Sequence, residues 1–250
     1  MSQESNHVDK LPLVSVIMAV YNEENTVTSV LDNLLAGDFK DFKIEIVLVE
    51  SNSTDLTRQL ISRYDSYSNV RIIYQESALG KGNAVREGFK HSTGDIFLIQ
   101  DADDEYSISD YPSLIRPIIE NQTSFVLGTR HKPGEAMRVM EGEPINSRLL
   151  NTGHHFFVWF FNSLYGTKLT DPFTMFKVFR SDCLDGLHFK SNRFDFDWEL
   201  VAKLCRKGYL PIEIPVSYEA RGFGEGKKVR YVRDPISWIL AGIRFRLEKI

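Results

Sequence analysis

Apolar and polar residues alternate in blocks along the first half of the chain. Four Val/Ile-rich runs are typical of strands buried on both faces, at 13–20, 44–49, 70–74 and 96–99. Between them, apolar residues recur every three or four positions, as at Val27, Val30, Leu31, Leu34 and Leu35. The pattern predicts helices, here and in the stretches after residue 56 and over 84–90. Strands that alternate with helices imply right-handed crossovers, so we predict an α/β fold with a Rossmann-like, mostly parallel central sheet flanked by helices.

The second half is less regular. A helix with a proline break is predicted over 110–120 and a strand over 124–129, whereas 131–146 has no period and is predicted to be a mobile loop beside a site. The later predictions are a strand-like segment over 170–180, a helix that begins near Asp195, a strand over 212–216 and a final helix over 235–250.

An aromatic cluster, RLLNTGHHFFVWFFNSLYG, begins at Arg148 and is too short to span a bilayer. Two interpretations stay open: a buried core helix, or an interfacial helix whose aromatic and basic residues contact lipid. Within it, His154 and His155 are disfavoured as metal ligands, since adjacent residues of a helix point in different directions.

Charge and cysteine content narrow the function classes. The 250 residues carry a net charge of −4, which argues against a general nucleic-acid binder. Cys183 and Cys205 are too far apart for a CxxC zinc site and too few for a disulfide framework. The polar N-terminus has no signal-peptide core and no apolar run is long enough to span a membrane, so we expect a cytoplasmic protein.

The candidate chemistry centres on GDIFLIQDADDEY, which starts at Gly94. Its apolar strand ends in a cluster of acids, and ligands of open α/β sheets bind outside the carboxyl ends of the strands. Alternate acids such as Asp101, Asp103 and Glu105 can converge on one hard cation, Mg²⁺ or Mn²⁺. We therefore predict a metal site here rather than a solvated acidic turn.

Two earlier loops carry groups that suit a nucleotide. Asn52 to Asp55 offer side-chain oxygens and a helix N-terminus, whereas Gly80, Lys81 and Gly82 offer backbone N–H groups and one cation. Because both follow predicted parallel strands, they should converge with the acidic cluster on one crevice that holds a base, a ribose and a diphosphate.

Charged residues of the second half are candidates for the other substrate. Lys177 and Arg180 lie near the end of the strand-like segment, and Asp195, Asp197 and Glu199 lie at the start of a helix, where acids also complement the helix dipole. The glycine-rich tail with Arg221 and Lys227 either closes over a diphosphate or is solvated.

Four motifs in order, VSVIMAVYNEE, VESNSTD, ALGKGNAVREGF and GDIFLIQDADDEY, resemble family 2 glycosyltransferases with the GT-A fold. DADDE together with DPFTMFKVFR most resembles the dolichol-phosphate-mannose-synthase-like group of polyprenyl-phosphate sugar transferases. The resemblance covers about residues 13 to 233. It implies one GT-A domain, with a nucleotide-sugar-binding half (1–130), an acceptor-side half (131–233) and a C-terminal helix (234–250).

The resemblance also assigns residues. Asp101 is expected nearer the ribose, Asp103 on the metal and diphosphate, and Glu105 as a further metal contact. The expected nucleotide-sugar site comprises Tyr21, Glu23, Glu50, Ser51, Asn52, Asp55, Lys81, Asp101, Ala102 and Asp103. The expected contacts of the acceptor or diphosphate are Arg130, Lys177, Arg180, Arg221 and Lys227. Glu50 and Ser51 stand where many members have two acids, and TMFK stands where SGFR-like sequences are common.

The implied reaction is metal-dependent transfer with inversion from a UDP- or GDP-linked sugar to a polyprenyl phosphate or another lipid-linked or cell-surface glycan precursor. A hydroxyl of a soluble or polysaccharide acceptor is the alternative and would need a base, from Asp195, Asp197 or Glu199. A phosphate acceptor would need the basic residues instead. A nucleotidyltransferase and a non-catalytic nucleotide-sugar-binding module are less favoured. Peripheral contact with the inner face of the cytoplasmic membrane is a further expectation.

Overall fold

The computed structural model describes residues 11–131, 137, 144–219 and 233–249, with the side chains of 144–146 and 233–237 excepted. Seven strands form one sheet: β1 (Leu13–Val20), β2 (Lys43–Glu50), β3 (Val70–Tyr74), β4 (Ile96–Asp101), β5 (Phe125–Thr129), β6 (Lys177–Arg180) and β7 (Ile212–Pro215). The helices are α1 (Val27–Ala36), α2 (Thr57–Ile61), α3 (Lys81–His91), α4 (Tyr111–Ile119), α5 (Pro144–Tyr165), α6 (Asp195–Arg206) and α7 (Arg233–Leu247).

The strand order is β3-β2-β1-β4-β6-β5-β7. Every neighbouring pair is parallel except those made by β6, which runs antiparallel to both β4 and β5. The predicted α/β class and mostly parallel sheet are therefore confirmed. The strand predicted over 170–180 is shorter than expected, because a turn closed by the Thr174 N–H and the Asp171 carbonyl (3.3 Å) precedes it.

The core lies on both faces of the sheet. The strand β5 is wholly buried, and β1 and β4 are buried over most of their length, as their continuous apolar runs require. Helix α3 packs closely on the sheet at Gly88, where an added Cβ would lie 2.4 Å from Cγ2 of Ile17. Helices α5 and α6 add aromatic residues to the core, among them Phe161 and Trp198, whose ring centroids are 5.5 Å apart.

Helix α5 contains the aromatic cluster, and its two faces differ. Phe157 and Phe161 are buried against Trp198, whereas Phe156 is 48% and Trp159 63% exposed. The interpretation as a buried core helix therefore holds for the face of Phe157 and Phe161, and the opposite face of α5 is exposed.

Candidate active site

The loops after β1 and β2 are tied together at the carboxyl edge of the sheet. The Asn22 N–H donates to Oγ of Ser53 (3.0 Å), and Oδ1 of Asn22 accepts from the Thr54 N–H (2.8 Å). The Glu23 N–H donates to Oγ1 of Thr57 at 2.8 Å. Asn22 has a φ of 52°, in the left-handed region that asparagine tolerates. The two loops therefore form one wall, with the side chains of Tyr21 and Glu23 at its edge.

Two acids of this wall stabilise the loops themselves. Glu50 is fully buried, accepts from the Ser53 N–H and forms an ion pair with Nε of Arg58 at 3.1 Å. Asp55 accepts from the Thr57 N–H at 3.0 Å. Burial would raise the pKa of Asp55, but its hydrogen bonds, led by the Thr57 hydroxyl, lower it.

Ser51 and Asn52 directly follow β2 and belong to this wall. The Ser51 hydroxyl donates to Oε1 of Gln75 (3.0 Å), and Nε2 of Gln75 donates to Oδ1 of Asn83 (2.9 Å). Oδ1 of Asn52 accepts from Arg58 at 3.2 Å. Gln75 and Asn83 were not predicted as site residues from the sequence. Gln75 directly follows β3, and a polar residue directly after a parallel strand is the signal that identified the other loops of the site.

The acids after β4 lie at the same edge. Nζ of Lys81 is 2.9 Å from Oδ1 and 3.2 Å from Oδ2 of Asp101. The buried Asp103 accepts from the Glu105 N–H at 3.3 Å, and the Ala102 carbonyl accepts from the Thr26 hydroxyl at 2.8 Å. The structure thus brings Lys81 to the acidic cluster, as the sequence predicted.

Lys81 lies in the first turn of α3 rather than in a free glycine loop. Burial alone would lower its pKa, but Asp101, followed by Asp197 and Asp103, raises the pKa of Lys81 to about 12. The ammonium group stays charged and compensates the carboxylates on both sides of the site.

Lys177 and Asp197 form a second ion pair at this edge, next to the Lys81–Asp101 pair. Antiparallel β6 pairs Lys177 with Ile99, near the carboxyl end of β4. The fully buried ammonium group of Lys177 donates to the Thr174 carbonyl and to Oδ1 of Asp197, the latter at 2.8 Å. Burial would raise the pKa of Asp197, but Lys177, Lys81 and Arg130 outweigh it and lower the pKa. Burial also lowers the pKa of Lys177, against the effect of Asp197.

Arg130 forms an ion pair that the sequence analysis missed. Its Nε and Nη2 donate to the two oxygens of the fully buried Asp171 at 2.7 and 2.8 Å, and its carbon Cζ lies 5.3 Å from the Tyr218 ring centroid. Burial would raise the pKa of Asp171, but Arg130 lowers it to about 2. The Asp171 N–H is itself held by Glu213 at 2.7 Å. An Asp-Pro pair signals a turn, but nothing in the sequence links it to an arginine 41 positions away.

Three predicted residues do not join this group. Arg180 pairs with Ile96 at the opposite end of β4 and forms a surface ion pair with Asp182 (2.7 Å). Glu199 is fully buried and bound to Lys203 at 2.6 Å. Asp195 accepts from the Arg193 N–H at 3.2 Å at the start of α6. Arg221 and Lys227 lie outside the described residues, as does most of the predicted 131–146 loop.

The carboxylates after β4 would need substrate oxygens or water to complete a site for a divalent cation. Within the described ranges, no three His, Cys, Asp or Glu side chains are arranged to bind a metal, so Asp101, Asp103 and Glu105 do not form a complete cage. Mg²⁺ sites commonly use one or two carboxylates together with substrate phosphates and water. Asp101 and Asp103 supply the oxygen ligands that Mg²⁺ or Mn²⁺ prefers, so the chemistry of the donor set fits such a cation.

The histidines after β5 and on α5 are close without forming such a site. The ring centroids of His131, His154 and His155 are 5.4 to 5.9 Å apart. All three lie in the described part of the chain, in which no group of three His, Cys, Asp or Glu side chains could hold a metal ion.

The family profile and the similar curated proteins all describe glycosyltransferases. The profile of glycosyl transferase family 2 matches residues 15–183. A dolichol-phosphate mannosyltransferase of Pyrococcus furiosus is 28% identical over 86% of this chain and 58% of its own length. A dolichyl-phosphate beta-glucosyltransferase of Trichomonas vaginalis is 29% identical over 94% of this chain and 74% of its own length. The chain thus spans little more than half of the archaeal relative.

Solved structures share the fold. Glucosyl-3-phosphoglycerate synthase from Mycobacterium tuberculosis, solved with Mn²⁺, UDP and phosphoglyceric acid, has a TM-score of 0.67 at 18% identity, over 94% of this chain and 78% of its own. TarS from S. aureus has a TM-score of 0.59 at 19% identity, over 92% of this chain and 65% of its own. The fold class predicted from the sequence, GT-A, is confirmed.

Proposed function

Because the chain belongs to glycosyl transferase family 2, we propose that it transfers a sugar from a nucleoside-diphosphate sugar to a lipid-linked phosphate, with inversion. One observation carries the proposal: Lys81–Asp101 and Lys177–Asp197 lie at the same edge of the sheet, one pair on the donor side and one on the acceptor side. Such an edge can bind two anionic substrates next to each other.

The donor side is proposed to bind the nucleotide through the wall of Tyr21, Glu23, Ser51 and Asn52. The ammonium group of Lys81 then neutralises the diphosphate as it leaves. Asp103, with Asp101, would hold Mg²⁺ or Mn²⁺, and the cation when bound supplies Lewis-acid stabilisation of the leaving group. The mycobacterial relative solved with Mn²⁺ and UDP supports both the cation and the nucleotide.

The acceptor side favours an anionic acceptor over a hydroxyl. A hydroxyl needs a general base whose pKa lies near the working pH. Glu199 is buried in an ion pair, and Asp197 is bound by Lys177, which with Lys81 and Arg130 lowers its pKa. A phosphate is already anionic and can attack the anomeric carbon without a base. The dolichol-phosphate relatives support this choice.

An apolar surface suits an acceptor that resides in a membrane. On α5 the exposed side chains include Leu149, Phe156 and Trp159, and on neighbouring α7 they include Leu240, Ile243 and Leu247. Phe160 connects the exposed side chains of α5 with those of α7. Its ring stacks on that of Phe156, and a Cβ added at Gly242 of α7 would lie 3.1 Å from its Cε1 atom.

The charge of these two helices points to anionic headgroups. Arg148, Arg244 and Arg246 are exposed on them, and none of their described side chains is acidic. None of the helices in the described parts of the chain is long and apolar enough to cross a bilayer. We therefore propose that α5 and α7 lie against the headgroups of an anionic membrane and bring the site to its lipid acceptor.

A donor panel tests the reaction. The full chain is incubated with Mn²⁺, a short-chain polyprenyl phosphate and UDP- or GDP-linked hexoses, and the product is analysed by chromatography and NMR. We expect one nucleotide class to give a glycosylated lipid phosphate of inverted anomeric configuration, with loss in chelator and recovery on adding Mn²⁺. A folded chain that forms no product with any donor would contradict the proposal.

Vesicle flotation tests the membrane surface. Binding to anionic vesicles should exceed binding to neutral ones and weaken with salt. Trp159→Ala together with Phe156→Ala should lower it at least about tenfold, because about 0.8 kcal/mol is lost per CH₂ removed from the apolar phase. Leu210→Ala is the matched control, since Leu210 and Trp159 are both 63% exposed. Equal binding by both variants, or none by the wild type at low salt, would refute the surface.

A further inference from the structure

A segment of the acceptor side covers the start of the donor-side helix α3. The Asn83 N–H donates to the Asn192 carbonyl at 3.1 Å. Nη1 of Arg86 donates to the Phe189 carbonyl at 2.6 Å, and Nη2 of the same arginine donates to Oδ1 of Asn192. The segment 188–193 is thus bound to two residues of the first two turns of α3, next to Lys81.

Two glycines permit this contact. A Cβ at Gly80 would lie 2.4 Å from the Asn192 carbonyl oxygen, and Gly80 also has a φ of 103°, which disfavours any other residue. A Cβ at Gly82 would lie 2.4 Å from Cβ of Phe196 and 2.7 Å from the Ser191 carbonyl oxygen. The GKG motif therefore serves a close approach between two backbones, and Lys81 stands between the two contact points.

Glu199 holds the covering segment in place. Its carboxylate accepts from the N–H groups of Lys190 (3.0 Å) and Ser191 (2.7 Å). It also forms an ion pair with the buried ammonium group of Lys203 at 2.6 Å, and this ammonium donates to the His188 carbonyl. A carboxylate whose two oxygens are engaged in this way is unsuited to take a proton from a substrate.

We infer that Glu199 is a positioning residue, which fixes the distance between Lys81 on the donor side and Asp197 on the acceptor side. Asp197 lies two residues before Glu199 on α6, and the segment that Glu199 holds contacts the glycines on both sides of Lys81. A shift of the segment therefore moves one substrate relative to the other. This inference rests on the proposed function.

The test compares Glu199→Gln and Gly82→Ala with wild type. Glu199→Gln replaces one acceptor oxygen with an amide that repels the N–H groups of the segment, and Gly82→Ala pushes the segment away from the helix. A misplacement of about 1 Å can cost about 100-fold in rate. We expect kcat to fall about 10- to 100-fold in each variant, while the donor KM and the affinity for the nucleoside diphosphate with Mn²⁺ stay within about threefold.

Two further readouts separate positioning from base catalysis. The pH profile of kcat should keep its shape in Glu199→Gln, whereas loss of a general base removes its acidic limb. The double variant should be about as slow as the slower single variant, because both changes disturb one contact. The control is Glu87→Gln, an acid of α3 that pairs with Lys90 (2.7 Å) and should keep wild-type kcat.

The outcomes are distinct. A wild-type kcat in Glu199→Gln, a lost acidic limb, or losses that multiply in the double variant would overturn the inference. If Glu199→Gln does not fold, Gly82→Ala and Lys203→Met disturb the same segment from its other partners, and a wild-type kcat in both would overturn it equally. A wild-type chain without transferase activity would instead refute the proposed function.

Discussion

The proposed donor side and the proposed acceptor side of the site are built in different ways. On the donor side, polar residues follow the parallel strands β1, β2 and β4, and hydrogen bonds between loops such as Asn22–Ser53 hold them. On the acceptor side, the ion pairs Lys177–Asp197 and Arg130–Asp171 are almost fully buried, whereas the donor-side pairs Lys81–Asp101 and Arg58–Glu50 each include a partly exposed side chain. Removing one partner of a buried pair leaves an uncompensated charge, so acceptor-side variants should lose stability as well as activity.

The largest effect on activity is expected on the donor side, for Asp103→Asn. A bound cation contributes several kcal/mol to a transition state of this kind, so kcat/KM with Mn²⁺ should fall on the order of 10³-fold. Asp104→Asn changes the neighbouring exposed acid and should remain within about twofold of wild type. Equal losses of kcat/KM in the two variants would contradict the role of Asp103 as a cation ligand, because they would show that any acid of this turn has the same effect.

The largest effect on stability is expected on the acceptor side, for Asp171→Asn. Arg130 would then be buried without its counter-charge, and breaking a buried pair costs about 3–5 kcal/mol. The free energy of unfolding from urea denaturation measures this loss, with Asp104→Asn again as the exposed control. A loss under about 1 kcal/mol would show that the Arg130–Asp171 pair contributes no more than a surface pair.

The pH dependence of that loss sharpens the comparison. Arg130 holds the pKa of Asp171 at about 2, below its usual value near 3.9. The stabilisation by this carboxylate is therefore complete above about pH 4 and is lost as the pH falls through the folded-state pKa. The difference in unfolding free energy between wild type and Asp171→Asn should be constant from about pH 5 to 8 and shrink between about pH 4 and 2. A difference that grows on acidification would contradict the assignment.

The smallest effect is expected for Arg180→Ala. Arg180 is exposed, pairs with Asp182 and lies at the far end of β4, about 10 Å along the strand from Lys177. Exposed pairs contribute about 0–1 kcal/mol, so the unfolding free energy should change by less than that and kcat/KM by less than about twofold. A tenfold rise in the acceptor KM would contradict this placement and show that Arg180 contributes to acceptor binding.

The comparison also explains how far the sequence could predict the site. Parallel strands bring their carboxyl ends to one edge, so Asp101, Lys81 and the first two loops could be grouped by their position after strands. The strand β6 breaks that rule, because its antiparallel direction brings its first residue, Lys177, to the site and carries Arg180 away. The direction of a strand depends on its pairing with residues that are distant in the sequence. The local sequence of β6, KVFR, therefore does not predict that this strand runs antiparallel to its neighbours.

Glu199 and the glycines show a second limit. Glu199 was assigned to chemistry because it matches an acidic position of the family ahead of the acceptor-side helix. The glycines were assigned to the nucleotide because their backbone N–H groups lie just before the acidic strand. Which face of α6 contains Glu199, and what approaches Gly82, depend on how two halves of the chain pack. These contacts join residues about 110 positions apart, as Asn83 and Asn192 are, and are decided by tertiary structure alone.

The central claim is that the acceptor side binds a charged acceptor and needs no general base. The most direct test compares a short-chain polyprenyl phosphate with the matching polyprenol, under the same donor and Mn²⁺, and measures initial rates of sugar transfer. The two acceptors differ only in the phosphate. We expect transfer to the phosphate to exceed transfer to the alcohol by at least about 10³-fold. Equal or faster transfer to the alcohol, abolished by Asp197→Asn, would contradict the account and establish Asp197 as a general base.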